Sequence, residues 1–335
     1  MITVVIPTIG RPSLAATLDA LGTDLPIIVA DDRRTGSPPL ALPSHVRVVR
    51  SGGRGPAAAR NAGWRLARTP WVAFLDDDVV PEPGWAEAVW KDLADLPDDV
   101  AGSQGRIVVP LPRDRPPTDA ERHTAGLQTA EWPTADMAYR LSALEIVRGF
   151  DERFPRAYRE DADLALRVRA AGHRLVRGSR VTVHPLRQDG YWSSVRFQRG
   201  NADDALMRRL HGRGWRAAIG GPRGRLRRHA VTTALGLTAL ALAATAATAA
   251  ALPAVRRTPA ATGRATRAAY GSRRLAWAAG AAAAGWAAMT AEFAWARIAP
   301  GPRTPAEVAR MAVTSVVIPP VACAHRLRGE WRVRR

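Results

Sequence analysis

Cysteine is almost absent: Cys323 is the only one in 335 residues, which excludes an internal disulfide framework and a multi-cysteine zinc or iron–sulfur site. A reducing compartment fits. Lysine is as scarce, because Lys91 is the only lysine among 49 basic residues. A Walker A motif needs a lysine after its glycine-rich loop, so P-loop NTPase chemistry is excluded. No basic n-region or small-residue cleavage site precedes the apolar run 2–6, so no secretory signal is expected and the first domain should face the cytoplasm.

The formal charge of +19 would ordinarily point to nucleic acid or an anionic membrane, through the long-range field of the excess cations. Arginine standing almost everywhere for lysine, together with abundant alanine, resembles the codon bias of a GC-rich genome. The excess is also uneven. From Arg223 onward 18 arginines face only Glu292, Glu307 and Glu330, so +15 of the +19 sits in the last third and belongs to an appendage. That distribution argues against nucleic acid as a partner of the first part.

Residues 1–110 alternate short apolar runs with helical patterns, as a parallel sheet built from βαβ units does. The runs are 2–6, 27–30, 46–49, 71–75 and 107–109. Helices are expected after Pro12-Ser13 and after Gly55-Pro56, and a further one from 160 to 171 ends at Gly172. Residues 110–123 are rich in Pro, Asp and Arg and read as a surface loop, and short strands are expected at 174–176 and 181–184. Composition changes sharply near Gly220. The expected domains are therefore 1–215, catalytic, and 216–335, helical and hydrophobic. Within the latter, 231–255 is long enough to cross ~30 Å of hydrocarbon at 1.5 Å per residue, and 275–296 is a weaker second segment. The run 311–324 is short and interrupted by proline. A simple hairpin would place Arg256, Arg257, Arg264, Arg267, Arg273 and Arg274 on the far side, against the positive-inside rule, so topology stays open; an Ala-rich helical pair packed in protein is the alternative.

The strongest chemical signal is the apolar strand 71–75 running into Asp76-Asp77-Asp78. Two such charges ~4 Å apart repel by about 4 kcal/mol at an effective dielectric near 20, so a cluster of three is poor as structure alone, and a bound cation resolves the conflict. Hard oxygen ligands suit Mg²⁺ or Mn²⁺. Asp31-Asp32 ends a second short strand, and open α/β sheets bind ligands at the carboxyl ends of their strands. The bland readings are a solvated acidic turn for the first cluster and an Asx turn before Arg33 for the second. The stretch from Ser51 to Gly63 joins flexible backbone, a helix start and Arg60, a setting that suits a diphosphate.

These pieces in this order, VVIPTIGRP, IIVADD, GPAAARNAG, FLDDD and RGFDERFPRAYREDADLALRVRAAG, resemble the family-2 glycosyltransferases of the GT-A fold over about residues 1–185. The resemblance implies an α/β fold with a mainly parallel sheet flanked by helices, followed here by the C-terminal helical hydrophobic region. It implies that Pro7, Thr8 and Asp31 border the nucleotide, that Arg60 lies near its cleft, and that Asp76 and Asp78 are the outer members of a DXD motif, one towards the ribose and one on the metal. Asp77 falls among the nucleotide-sugar residues by the same likeness. Asp161 of the pair Glu160-Asp161 is similar to the family's general base, with Glu160 and Asp163 in support; the alternative is that all three are N-terminal helix carboxylates favoured by the macrodipole. His184 is a candidate metal ligand, and Asp136, in the acceptor-side strand, a candidate for orienting a sugar. Arg33-Arg34 departs from the usual small turn, and Gln198-Arg199-Gly200 lacks the tryptophan of processive synthases, which implies single transfer.

The expected reaction is inverting transfer of a sugar from a nucleoside diphosphate to an acceptor hydroxyl, assisted by Mn²⁺ or Mg²⁺. The expected acceptor is a glycan or a lipid-linked or cell-envelope molecule presented at a membrane that the C-terminal region contacts. Two other classes fit parts of the sequence: a nucleotidyltransferase, which would release pyrophosphate, and a non-catalytic Arg-rich module that binds membranes or polyanions.

Overall fold

The computed structural model describes residues 2–187, 190–251 and 259–334. In chain order it runs β1 (Ile2–Thr8), α1 (Ser13–Leu21), β2 (Ile27–Asp31), β3 (Arg47–Arg50), α2 (Pro56–Trp64), β4 (Trp71–Leu75), β5 (Val80–Pro81), α3 (Trp85–Leu93) and β6 (Val100–Val108). There follow α4 (Asp119–Ala125), β7 (Asp136–Arg140), α5 (Leu141–Ile146), α6 (Glu160–Ala170), β8 (Arg174–Val183), α7 (Ser193–Arg196), α8 (Gly200–His211) and α9 (Trp215–Ala218). The chain ends with α10 (Leu226–Ala251), α11 (Pro259–Ile298) and α12 (Pro305–Arg334).

One eight-stranded sheet has the order β3-β2-β1-β4-β7-β6-β8-β5. The pairs β1–β2, β1–β4, β2–β3 and β6–β8 are parallel, whereas β7 runs against both β4 and β6. Strand residues alternate between two apolar layers, as a pleat with both faces covered requires. Val4, Ile6, Ile27, Val29, Ala73 and Leu75 pack with Leu14, Leu18 and Leu21 of α1 and with Trp85, Val89 and Leu93 of α3. Val5, Ile28, Val72 and Phe74 pack on the other side with Trp64 of α2, Leu144 of α5, and Leu164 and Val168 of α6. The mixed, mainly parallel sheet between two helical layers is the α/β class expected.

Three local expectations change. The strand expected at 107–109 is the end of the longer β6, and the two strands expected at 174–176 and 181–184 are one continuous β8. The loop expected at 110–123 contains the start of α4, a short helix with no buried residue.

The chain divides into two compact units, residues 1–114, 120–189 and 203–223 in one and residues 115–119, 190–202 and 224–335 in the other. In the second unit α10 lies against α11, with Gly236 beside the Trp286 ring, and Glu292 pairs with Arg225 and Arg228 at 2.7 and 2.9 Å. Arg297 is buried among the Thr314 and Ser315 hydroxyls and the Asp119 carboxylate.

Among the described residues two helices are long and apolar enough to cross a membrane, Leu226–Ala249 at mean hydropathy 1.7 and Pro305–Arg334 at 1.4. The first overlaps the expected segment 231–255, of which 252–255 lie outside the described residues. The second lies beyond the expected 275–296, which falls within α11. Pro319 and Pro320 do not interrupt α12. The φ that proline imposes is itself helical, so the pair costs backbone hydrogen bonds without breaking the helix.

Candidate active site

Five elements bring polar side chains to one edge of the sheet: the carboxyl ends of β1, β2, β4 and β8 and the N-terminus of α6. Pro7 and Thr8 close β1 and are buried. Thr8 donates its Oγ1 hydrogen to Asp77 Oδ2 at 2.6 Å and accepts from the Gly10 amide at 2.9 Å. Arg11 donates to Asp77 Oδ1 at 2.7 Å. Both oxygens of Asp77 are therefore spent in tying the turn after β1 to the acidic triplet.

Asp31, buried at the end of β2, receives the Arg33 backbone amide, Nε and guanidinium at 2.8–3.0 Å. The side-chain bond from Arg33 holds its carboxyl below the usual range, with burial opposing. Asp32 accepts from Ser51 Oγ at 2.7 Å and from the Gly55 amide at 2.9 Å, just where α2 begins with Pro56 at its first position. That carboxylate anchors the glycine-rich turn at a helix N-terminus, where negative charge is favoured.

Arg60, on α2, is only 1 % exposed. Its guanidinium donates to Asp76 Oδ1 at 2.8 Å and to Glu160 Oε1 at 2.7 Å, and lies 5.6 Å from the Phe150 ring centroid. Asp76 keeps part of its surface open, whereas Glu160 is 2 % exposed and its Oε2 has no hydrogen-bond partner. Burial, opposed by Arg60, pushes Glu160 up to about 7.

Asp161 is half-buried and accepts from the Ala162 amide at 2.7 Å. Burial also raises its pKa, with Arg60 and Arg159 opposing and Asp76 adding to the rise. The residue before the pair, Arg159, has φ +76°, a left-handed backbone that costs about 1–3 kcal/mol in a non-glycine residue unless its surroundings impose it. They do: its Nε donates to Asp204 at 3.1 Å, and its guanidinium lies over the Tyr158 and Trp215 rings at 4.4 and 4.8 Å. Asp163, fully buried, is bonded to Arg167 at 2.8 Å and to His211 Nε2 at 2.8 Å. It ties α6 to α8.

Asp78 differs from its neighbours. It is 8 % exposed and neither carboxylate oxygen has a hydrogen-bond partner of good geometry. Two arginines and an imidazole surround it: Arg11 at 3.7 Å, Arg187 in close contact, and His184, whose Nε2 is 3.8 Å from Oδ1. His184 follows β8, is 5 % exposed, and has Nδ1 3.0 Å from the Pro185 carbonyl oxygen. A carbonyl only accepts, so Nδ1 carries the hydrogen and Nε2 is the nitrogen turned towards Asp78. Such a hydrogen bond on the far nitrogen is the usual support for a metal-binding imidazole. A buried carboxylate beside that nitrogen fits a divalent cation, which would take the place of the Arg187 contact, although among the described residues no three His, Cys, Asp or Glu side chains converge as a ready-made cage.

The structure corrects the expectation for Asp136. It is 0 % exposed at the start of β7, and its oxygens accept from Arg180 Nε at 2.7 Å, Trp85 Nε1 at 2.8 Å and Thr182 Oγ1 at 2.6 Å. A carboxylate so enclosed is the counter-ion of the fully buried Arg180 and has no oxygen free for a sugar. Arg11, Arg159, Arg187 and Asp204 are the site's unforeseen members. Arg11 had a signal in its place directly after the Thr8 turn, while Asp204 and Arg187 lie in stretches without any pattern.

Residues 3–163 match the family model described as "Glycosyl transferase family 2". Two curated relatives, both named "Pre-mycofactocin glycosyltransferase" and both from strains of Mycobacterium tuberculosis, are 36 % identical over 135 residues, which is 36 % of this chain and 28 % of theirs. The chain thus aligns with under a third of the relatives it matches. Among solved structures, S. aureus TarS 1–349 in complex with UDP has a TM-score of 0.40 at 14 % identity, covering 61 % of this chain and 65 % of that one. The same protein in complex with UDP-GlcNAc gives 0.40 at 15 % identity, again with 61 % and 65 % covered. The acidic triplet, the glycine-rich turn and the Glu160-Asp161 pair all fall within the matched residues, which span just under half of the chain, and over that stretch the chain is similar to glycosyl transferase family 2.

Proposed function

We propose that the chain is a metal-dependent, inverting glycosyltransferase that moves a sugar from a nucleoside-diphosphate donor to an acceptor hydroxyl. The observation that carries this reading is the meeting of two unlike acidic groups at one sheet edge. Asp78, buried and held by no hydrogen bond of good geometry, faces His184 Nε2, and Arg60 spans from the same triplet to the half-buried Asp161 motif.

Asp78 and His184 would hold Mn²⁺ or Mg²⁺, which supplies charge neutralisation for the departing diphosphate. Asp161, raised by burial, is poised to take the acceptor's proton, since a general base works best with its pKa drawn towards the working pH. Attack from the face opposite the departing diphosphate inverts the anomeric carbon. Asp31 and Thr8, at adjacent strand ends, frame the place for the nucleoside, and Asp76 keeps an exposed oxygen for the ribose.

Asp31 is clamped by Arg33, so a base that uses it must share or displace that guanidinium. A glycan or lipid-linked acceptor of the cell envelope, met at the membrane by a cytoplasmic catalytic unit, completes the reading. What supports the membrane is the pair of apolar helices. The test is release of nucleoside diphosphate across a panel of nucleotide sugars with Mn²⁺ or Mg²⁺. Metal-dependent release of one diphosphate, lost in Asp78→Ala and in Asp161→Asn, is the expected result; release of pyrophosphate would overturn it.

A further inference from the structure

Arg60 lies in a motif that suggested a diphosphate site, yet the structure spends its guanidinium on the protein itself. It is 1 % exposed, and its two terminal nitrogens reach carboxylates that come from opposite ends of the catalytic sequence, Asp76 after β4 and Glu160 at the start of α6. No water-facing edge remains for a phosphate, and Phe150 lies beside the guanidinium. We propose that Arg60 is a positioning residue that joins the donor-side triplet to the acceptor-side acidic pair, so that Asp161 is held where Asp76 requires it.

The proposal rests on the glycosyltransferase reading and adds a division of labour to it. Arginine suits this task because its planar fork reaches two carboxylates at once from a fixed stem, which a lysine ammonium cannot reproduce. Among the described residues Arg60 is the side chain that pairs with Glu160, whose Oε2 is buried without a hydrogen-bond partner. Losing the guanidinium therefore frees the Glu160 side chain and unties Asp76 from the turn of α6 that carries Asp161, although Arg159 and Asp163 still hold that turn to the fold. The charge acts in the same direction as the geometry. Around Asp161 stand Arg60, Arg159, Asp76, Glu160 and the Tyr139 phenol, and Arg60 is one of the two cations that favour its ionised form.

The experiment uses the full chain as wild type, Arg60→Lys, Arg60→Gln, Glu160→Gln and the Arg60→Gln/Glu160→Gln double variant. It follows transfer from the donor found active with wild type, and equilibrium binding of that donor's nucleoside diphosphate. No transfer by wild type from any donor overturns the glycosyltransferase reading, and the positioning role falls with it. With an active wild type, the expected result for Arg60→Gln is a kcat lowered on the order of 100-fold, with nucleotide binding changed less than about fivefold. The acid limb of its pH profile should move to higher pH, because a cation that favoured ionised Asp161 is gone. Arg60→Lys should recover only part of kcat, and the double variant should cost little more than either single one. Weakened nucleotide binding with kcat retained would make Arg60 a donor contact and overturn the proposal, as would an unmoved acid limb. If Arg60→Gln does not fold, Glu160→Gln decides: wild-type kcat in that variant overturns the link.

Discussion

His184 turns its Nε2 towards Asp78, 3.8 Å from Oδ1, while its Nδ1 is engaged 3.0 Å away by the Pro185 carbonyl. The separation is too long for a hydrogen bond, and it leaves Nε2 and Asp78 Oδ1 facing each other across a gap that suits a cation. Asp78→Asn should therefore abolish metal-stimulated turnover, by about 100-fold or more. His184→Ala should raise the Mn²⁺ concentration for half-maximal activity roughly 10–100-fold while leaving the chain folded. A metal titration of initial rates checks both, and identical titration curves for wild type and His184→Ala would remove the imidazole from the metal's shell.

Asp161→Asn keeps the volume and the helix start but removes the base. The expected loss in kcat is on the order of 10²–10⁴-fold, with donor affinity near that of wild type. Steady-state kinetics beside nucleotide binding separates this from a collapse of the site.

Glu160 gives a stability signature. Its carboxyl binds its proton more tightly in the folded chain, at about 7, than in the unfolded chain near 4.5, so the native state holds more protons between those values. Its contribution is therefore most favourable below about pH 4.5 and is lost as pH rises through about 7. Glu160→Gln, which cannot ionise, should gain stability over wild type by about 1–3 kcal/mol at pH 8 and by little at pH 5, while losing activity. Melting curves at the two pH values test the sign, and a gain confined to pH 5 would contradict it.

Asp136→Ala removes the carboxylate that Arg180 Nε donates to deep in the sheet. Asp92, at 3.1 Å, cannot fully replace it. The expected cost is about 3–5 kcal/mol, roughly 10 °C in melting temperature, with the donor KM within about twofold of wild type below the transition. A large KM change at unaltered stability would return Asp136 to the sugar site.

Much of this was legible in the sequence, because strands β1, β2 and β4 are uninterrupted apolar runs and Gly172 marks the end of α6. The two strands that were misread, β6 and β8, carry polar residues and glycines inside: Gly102, Ser103, Gln104 and Gly105 in one, Arg177, Gly178, Ser179 and Arg180 in the other. The structure supplies the reason. A Cβ at Gly105 would overlap the Asp136 carboxylate and one at Gly178 that of Asp92, so these strands are built around the buried Arg180 network. Periodicity reports apolar burial and is blind to a buried ion pair. The same blindness produced the misreading of Asp136, whose partner Arg180 is 44 residues away in sequence. The pair Glu160-Asp161 was visible as a motif, but the clamp on Arg159 was not, since Asp204 and Trp215 lie where no pattern points.

Strand β7 runs against both of its neighbours, and its first residue, Asp136, pairs with Leu75, the last residue before the acidic triplet. Every neighbouring parallel strand leaves the reactive edge through the loop that follows it; β7 arrives there through the residues that precede it, 120–135. A lengthened or shortened arrival segment alters what borders the triplet without shifting the register of β4, β7 or β6. The antiparallel strand thus sets two kinds of edge side by side in one sheet: parallel strands whose ends hold charge, and one route that enters beside the triplet.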